Sequence, residues 1–245
     1  MKLIKISKEL FYKKKLHPFF WKKNGGEFEF KEDVRKRILE IIDNFSNETE
    51  TKDHIEDIQL TGSIANFTYT KYSDVDVHLL VNFEKIGEEE LVKRALDGEC
   101  WTWNHKHEVK FKGHDFEIYF QDVDEPHVSS GLYSLKNGSW LKKPKYDPPD
   151  IDHRDVERKV KRYSNVISEL KRISKKELDE ERFKKLNKYS HALLDKIKKY
   201  RKDSIKVEGE FGIGNLVFKK LRQDGDIEVL MDIVNCSYDE AFSID

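Results

Sequence analysis

Cysteine is scarce in this sequence of 245 residues, which contains only Cys100 and Cys236. The two residues lie far apart and form no C-x-x-C pair, so neither a disulfide framework nor a zinc site built from cysteines is expected. Such cysteine usage is typical of proteins from a reducing compartment. We therefore expect a cytoplasmic protein.

Long apolar runs are also missing. The opening residues, MKLIKISKELFYKKKL, place lysines every few positions among the apolar side chains, so they lack the continuous apolar segment of a signal peptide. No later run approaches the roughly 18 apolar residues of a membrane-spanning helix. We expect a soluble chain of about one to two domains.

Charge, in contrast, is abundant: 38% of the residues are charged, although the formal net charge is only −1. Residues 151–205 hold 18 Lys and Arg against 10 Asp and Glu, and the rest of the chain holds 28 against 37. This basic segment is compatible with a polyanionic partner such as RNA, and equally with ordinary solvated helix faces. Both interpretations stay open, and the oligomeric state cannot be derived from the sequence.

The first part of the chain shows both strand and helix patterns. Short apolar or alternating segments predict strands at IEDIQL and DVDVHLLVNF, and HEVKFKGHDFEIYFQD predicts a hairpin that turns at Lys112-Gly113. Helical spacing predicts a helix over FKEDVRKRILEIIDNF, through Val34, Ile38, Ile41 and Phe45, and a second helix from about Glu84 to Asp97. These patterns predict an α+β fold with three or four strands.

The second part reads as helical. The segment KKPKYDPPDID contains three prolines and no periodicity, so we expect an αβ domain over residues 1–145 and a helical domain over residues 146–245. Two apolar stripes within this part predict two packed antiparallel helices. The Gly212-x-Gly214 pair has no preceding strand, so it predicts a helix start and not a dinucleotide-binding loop.

The stretch LTGSIANFTYTKYSDVDVHLLV contains the most informative pattern. In a strand, residues two apart share a face, so Asp74 and Asp76 project together while the intervening valines pack. Paired carboxylates repel each other and favour a cation between them, and Mg²⁺ prefers oxygen ligands. Gly62 and Ser63 follow the preceding strand, where a helix could begin and where backbone N–H groups and a hydroxyl could meet a phosphate.

A Gly-Ser pair, the ten residues Ile64 to Ser73, and then Asp74-Val75-Asp76 resemble the signature of the DNA polymerase β superfamily of nucleotidyltransferases. The segments LHPFFW, TGSIANFTYTKYSDVDVHLLV and QDVDEPHVSSGLYS further resemble small nucleotidyltransferases encoded by tailed phages. The resemblance implies a small mixed β-sheet nucleotidyltransferase core with flanking helices, followed by a helical C-terminal domain.

The resemblance also implies a third carboxylate on a neighbouring strand. Glu117 in HDFEIYF is the best candidate, because apolar residues bracket it within the strand. Asp115 shares its face and stays an alternative, although its position near the turn is more typical of a solvated residue.

The activity implied is a template-independent, metal-dependent transfer of a nucleoside monophosphate from an NTP, with ATP expected, to an acceptor hydroxyl. The expected acceptor is an RNA 3′ end; a protein or small-molecule hydroxyl, or a catalytically silent nucleotide- or RNA-binding module, are alternatives. The loop EPHVSSGLYS lines the substrate pocket or is an ordinary turn-rich loop. The implied site comprises Asp74, Asp76 and Glu117 as catalytic residues and as ligands of Mg²⁺ or Mn²⁺, with Gly62, Ser63 and Ser73 at the nucleotide. Lys161 or Lys159 is the candidate for the triphosphate tail, and ordinary solvated lysines are the alternative.

Overall fold

The computed structural model describes residues 12–127, 129–146 and 150–243. These residues form two compact units, one that ends with residue 146 and one that begins with residue 150. Each unit buries its own set of apolar side chains. Among the described helices, none combines the length and the apolar character required to cross a bilayer.

The first unit is α+β, as predicted. Its elements in chain order are β1 (Trp21–Asn24), β2 (Glu27–Phe30), α1 (Glu32–Glu48), a short 3-10 helix (Lys52–His54), β3 (Ile55–Leu60), β4 (Val75–Val81), α2 (Glu89–Lys106), β5 (Lys110–Phe111), β6 (His114–Asp122), β7 (Leu132–Ser134) and β8 (Ser139–Lys142). Strands β1 and β2 form a hairpin of their own.

The main sheet is mixed, with its strands in the order β5-β6-β4-β3-β7-β8. Strands β4 and β6 are parallel, and each of the other neighbouring pairs is antiparallel. The described part of this sheet has six strands, so the expectation of three or four was too low. Strands β7 and β8 were not predicted, because three or four residues are too few to show an alternating pattern.

The predicted hairpin is confirmed. It joins β5 to β6 through Lys112 and Gly113, whose φ angles are +55° and +87°. Two consecutive positive φ values suit the two-residue turn of a tight hairpin, because they match the twist of the flanking strands.

Strand β4 alternates strictly between buried and partly exposed side chains, and β6 does the same up to Phe120. The sheet therefore has an apolar face and a polar face. Helices α1 and α2 cover the apolar face, where Phe45 of α1 packs against Trp103 of α2 and Phe120 of β6 at ring-centroid distances of 5.9 and 5.7 Å. Within α1, Ile42 is buried instead of the predicted Ile41.

Helix α2 does not have the predicted bounds of about Glu84 to Asp97, since it runs from Glu89 to Lys106. Its last turns contain aromatic residues that are only moderate helix formers, but tertiary contacts outweigh such preferences. The Asn104 side chain donates to the Ile118 carbonyl at 2.9 Å and accepts from the Ile118 N–H at 3.0 Å. The Asn104 amide therefore provides hydrogen-bond partners for the Ile118 backbone, because the short strand β5 pairs only with His114 and Asp115 of β6.

The second unit is helical, as predicted. Its described elements are α3 (His153–Ser174), α4 (Glu180–Glu208), a 3-10 helix (Gly209–Phe211), α5 (Ile213–Gln223) and α6 (Asp226–Phe242). The prediction of two helices was therefore incomplete, whereas the helix start after Gly212 is confirmed. Asp152 and Asp179 cap α3 and α4, because their carboxylates accept hydrogen bonds from N–H groups of the first turn.

Candidate active site

Three carboxylates meet on the polar face of the main sheet. Asp76 of β4 and Glu117 of β6 are direct partners in the parallel register, and Asp74 comes immediately before β4. One oxygen atom from each of the three side chains lies within 4.8 Å of the others, and all three residues are partly buried. Carboxylates at this separation repel one another in the absence of a cation.

The donor set fits a hard divalent cation, because it consists of carboxylate oxygens alone. Soft metals prefer sulfur ligands, and no cysteine belongs to the cluster. Asp74, Asp76 and Glu117 are therefore the residues that could hold Mg²⁺ or a similar ion.

Asp115, the alternative third carboxylate, is placed differently. Its Oδ1 pairs with Lys110 Nζ at 3.1 Å across the β5–β6 hairpin, and its side chain is more than half exposed. The geometry brings Glu117, and not Asp115, to the two aspartates.

Gly62 lies directly against the cluster. Its φ is +69°, and a β-carbon built on it would stand 2.1 Å from Asp76 Oδ2. Only glycine permits both this conformation and this approach. The expectation that a helix begins here is wrong: residues 62–65 form turns, in which Asn66 N–H donates to the Ser63 carbonyl at 3.1 Å. Trp21 Nε1 also donates to the Ile64 carbonyl at 2.8 Å and fixes the turn.

Ser63 and Ser73 are brought together across the ten-residue gap. The Ser63 hydroxyl donates to Ser73 Oγ at 2.8 Å, and Ser73 Oγ accepts from the Thr70 N–H at 2.9 Å. The Gly-Ser turn is thus tied to the residue that precedes Asp74. Whether these hydroxyls also meet a phosphate stays a prediction.

A histidine pair that the sequence analysis did not identify supports the same segment. His114 Nδ1 lies 2.6 Å from the Ser73 carbonyl, so it must be the donor, and its Nε2 lies 3.3 Å from His17 Nε2. The Phe19 N–H donates to His17 Nδ1 at 3.2 Å, so His17 Nε2 carries the proton that His114 accepts. Burial, His114 and Lys31 lower the pKa of His17 to about 4, which keeps the His17 ring neutral.

Tyr119 is a second residue whose role the sequence did not predict, although alternation places it on the face of β6 that carries Glu117. It follows Glu117 by two positions on the same face of β6, and its hydroxyl donates to Glu117 Oε2. Burial and the nearby carboxylates, Glu117 first, raise the pKa of Tyr119, so its hydroxyl stays a donor. The alternation of HDFEIYF was the only sequence signal for this placement.

The predicted lysines lie on α3 of the second unit. Lys161 is exposed, while Lys159 Nζ lies 3.8 Å from Asp155 Oδ2 and 5.4 Å from the centroid of the Tyr200 ring. Their assignment to a triphosphate stays a prediction.

Converging carboxylates beside a glycine turn are compatible with a divalent-metal site of the kind that phosphoryl-transfer enzymes use. The chain matches the family model of the nucleotidyltransferase domain over residues 42–210, a range that includes the Gly-Ser turn and all three carboxylates. The protein therefore belongs to the nucleotidyltransferase-domain family, which confirms the resemblance at this level. A search of the curated proteins and a search of the solved structures each found no match.

Proposed function

We propose that the protein transfers a nucleoside monophosphate from an NTP, with ATP as the expected donor, to an acceptor hydroxyl and releases pyrophosphate. The observation that carries this proposal is the convergence of Asp74, Asp76 and Glu117 within 4.8 Å, inside a nucleotidyltransferase domain. Template independence is part of the proposal.

Asp74, Asp76 and Glu117 would hold Mg²⁺, or Mn²⁺ in its place. When bound, such ions offset charge on the triphosphate and lower the pKa of the acceptor hydroxyl. The protein contributes the fixed positions of the three carboxylates, because parallel pairing holds Asp76 beside Glu117 and the Ser63–Ser73 hydrogen bond anchors the segment before Asp74.

The acceptor oxygen forms a bond to the α-phosphorus while the bond from that phosphorus to the leaving oxygen breaks, and pyrophosphate departs with the electron pair. We propose that a carboxylate oxygen of Glu117 takes the proton that the acceptor hydroxyl loses. Tyr119 donates to Glu117 Oε2 and therefore orients this carboxylate.

Four other residues are assigned to the nucleotide. The turn at Gly62 and Ser63 is proposed to present backbone N–H groups to the phosphates, with Ser73 holding the Ser63 hydroxyl in place. Lys161 is proposed to neutralise the triphosphate tail, since its side chain is exposed.

The proposed acceptor is an RNA 3′ end, bound by the helical unit as an acceptor-binding domain while the first unit serves as the catalytic domain. Helix α4 supports this assignment, because Lys188, Lys199, Lys202 and Lys206 are exposed and lie on one side of the helix, although Ala192 and Asp195 lie between the first two. Such a row of cations suits a phosphate backbone. A cytoplasmic location and the closer likeness to tailed-phage enzymes stay predictions.

The test incubates the protein with each α-³²P-labelled NTP, Mg²⁺ or Mn²⁺, total cell RNA and total cell protein, and resolves the products on denaturing gels. The inactive control is Asp74→Ala/Asp76→Ala, and the matched control is Asp115→Ala, which removes an exposed carboxylate from the face of β6 that carries Glu117.

Label in a discrete RNA band, absent only from the double variant, is the expected result and identifies both base and acceptor. Label in protein, or in a small-molecule product, would retain nucleotidyl transfer and overturn the RNA acceptor. Absence of label from every fraction and NTP would contradict an active enzyme and favour a silent nucleotide-binding module.

A further inference from the structure

A second row of polar side chains crosses the polar face of the sheet beside the carboxylates. Gln59 of β3 is paired with His78 of β4, and His78 with Tyr119 of β6. Because His78 and Tyr119 follow Asp76 and Glu117 by two positions, the row lies about 7 Å from the carboxylate row. It is close enough for one substrate to span both rows.

Gln59 carries a buried polar atom without a partner. The residue is only 4% exposed, and its Nε2 donates to Asp57 Oδ2 at 2.9 Å. Asp57 is itself fixed by the Ser134 hydroxyl at 2.7 Å. Among the described residues nothing donates to Gln59 Oε1. A buried acceptor left without a donor is unfavourable, so it points to a ligand that donates a hydrogen bond.

His78 offers a second acceptor next to Gln59. Its Nδ1 lies 2.7 Å from Gln121 Oε1, and the Gln121 amide nitrogen donates to the Glu125 carbonyl at 3.0 Å. An amide oxygen can only accept, so His78 Nδ1 is the donor and the neutral ring keeps Nε2 as an acceptor. The tautomer of His78 is therefore set by Gln121.

His127 completes the row from the segment after β6. Its ring centroid lies 6.2 Å from that of His78, and its buried Nε2 has no hydrogen-bond partner in the described part of the chain. Burial lowers the pKa of His127, which favours a neutral ring. Two of the residues in this row, Gln59 and His127, thus bury polar atoms that no other described residue satisfies.

We propose that Gln59, His78, Tyr119 and His127 bind the uncharged nucleoside part of a substrate. This inference rests on the proposed function, in which a nucleoside is joined to the phosphate that reacts at the carboxylates. Exocyclic amino groups and ribose hydroxyls can donate hydrogen bonds to Gln59 Oε1 and to His78 Nε2. The nearby carboxylates disfavour a phosphate in the same place. The nucleoside belongs either to the donor NTP or to the end of the acceptor.

The experiment titrates the full chain with adenosine, guanosine, cytidine and uridine, without metal, and follows binding by saturation-transfer NMR and by the imidazole signals of His127. We expect at least one nucleoside to bind and to shift those signals. Gln59→Met should weaken that binding at least tenfold, whereas the matched control Gln223→Met in the second unit should leave it unchanged. Thermal unfolding verifies that each variant is folded. If Gln59→Met does not fold, His127→Phe replaces it as the test variant, and its binding is followed by saturation transfer.

An α,β-methylene NTP analogue distinguishes the two sources. If the analogue displaces the nucleoside, the row binds the donor nucleoside; if both bind together, it binds the acceptor nucleoside. The proposal is overturned if none of the four nucleosides binds, or if Gln59→Met and His127→Phe bind as the unaltered protein does. Nucleoside binding without any transfer from NTP would instead contradict the proposed function alone, since this titration requires no turnover.

Discussion

Gly62 and Asp76 approach each other so closely that a β-carbon on the glycine would stand 2.1 Å from Asp76 Oδ2. The turn after β3 is therefore shaped around the carboxylate of β4. No side chain fits at position 62 unless Asp76 moves, and a displaced Asp76 leaves the cluster with Asp74 and Glu117.

Gly62→Ala should consequently abolish nucleotidyl transfer. The strain of alanine at positive φ costs about 1–2 kcal/mol of stability, and the clash additionally displaces the carboxylate. Gly25→Ala is the matched control, because Gly25 also has a positive φ of +55° but no atom lies within 4 Å of the place that a β-carbon would take there. Thermal unfolding and labelled-NTP transfer measure the two effects; equal activity of both variants would show that the contact is unimportant.

His17 should make the first unit less stable in mild acid. Its pKa is about 4 in the folded protein against an ordinary value of 6.5, so the unfolded chain binds the extra proton between these pH values. The free energy of unfolding is therefore highest above pH 6.5, where His17 is neutral in both states, and it decreases as the pH falls towards 4. We expect His17→Gln to reduce the loss of unfolding free energy between pH 7 and pH 5 by about 1–2 kcal/mol.

Urea unfolding at the two pH values checks this prediction, with the exposed His54→Gln as the control. Identical pH dependence in His17→Gln and the unaltered protein would contradict a lowered pKa of His17 in the folded protein.

Asn104→Ala should destabilise the first unit by about 1–3 kcal/mol, because it leaves the N–H and the carbonyl of Ile118 without their partner. Asn24→Ala removes an exposed hydrogen bond to Glu29 and should change stability by less than about 0.5 kcal/mol. Chemical denaturation of the two variants compares them directly. A loss at Asn104 no larger than that at Asn24 would refute the support that α2 gives to β6.

RNA binding, if the helical unit provides it, should weaken steeply with salt. The slope of log K against log salt is negative, and each phosphate contact of a single strand contributes roughly 0.7 to its magnitude. Replacing Lys188, Lys202 and Lys206 by glutamine should therefore reduce that magnitude by about 2. Replacing Lys14, Lys23 and Lys36, which are exposed lysines of the first unit, is the control. Filter binding over a range of salt concentrations measures both slopes, and equal slopes would argue against α4 as the RNA surface.

The carboxylate cluster could be predicted because the family resemblance implied a third carboxylate on a neighbouring strand, and because period-two alternation fixes which side chains share a strand face. That rule placed Asp76 and Glu117 on the polar face, and their direct pairing then followed from the parallel register of β4 and β6. The same rule could not show that His114 supports Ser73, since this contact joins the first residue of β6 to the loop before β4 across 41 positions. Contacts of this kind leave no periodic trace in the sequence.

The bounds of helices and the short strands were also difficult to predict from the sequence. The stop of α2 was placed at Asp97 although the helix continues to Lys106, because buried Trp103 and the Asn104 hydrogen bonds act through tertiary structure. Strand β7 has three residues and is defined by its neighbours β3 and β8, not by its own pattern. Local sequence therefore predicted the centre of the site better than its surroundings.

The most direct measurement compares Mg²⁺-dependent transfer of label from α-³²P-NTP by Glu117→Gln and Asp115→Asn. Both changes remove one negative charge from the same face of β6, but only Glu117 lies with Asp74 and Asp76, while Asp115 pairs with Lys110 near solvent. We predict at least a hundredfold loss of transfer for Glu117→Gln and less than a twofold change for Asp115→Asn. Full activity of Glu117→Gln would contradict a metal-dependent site built from these three carboxylates.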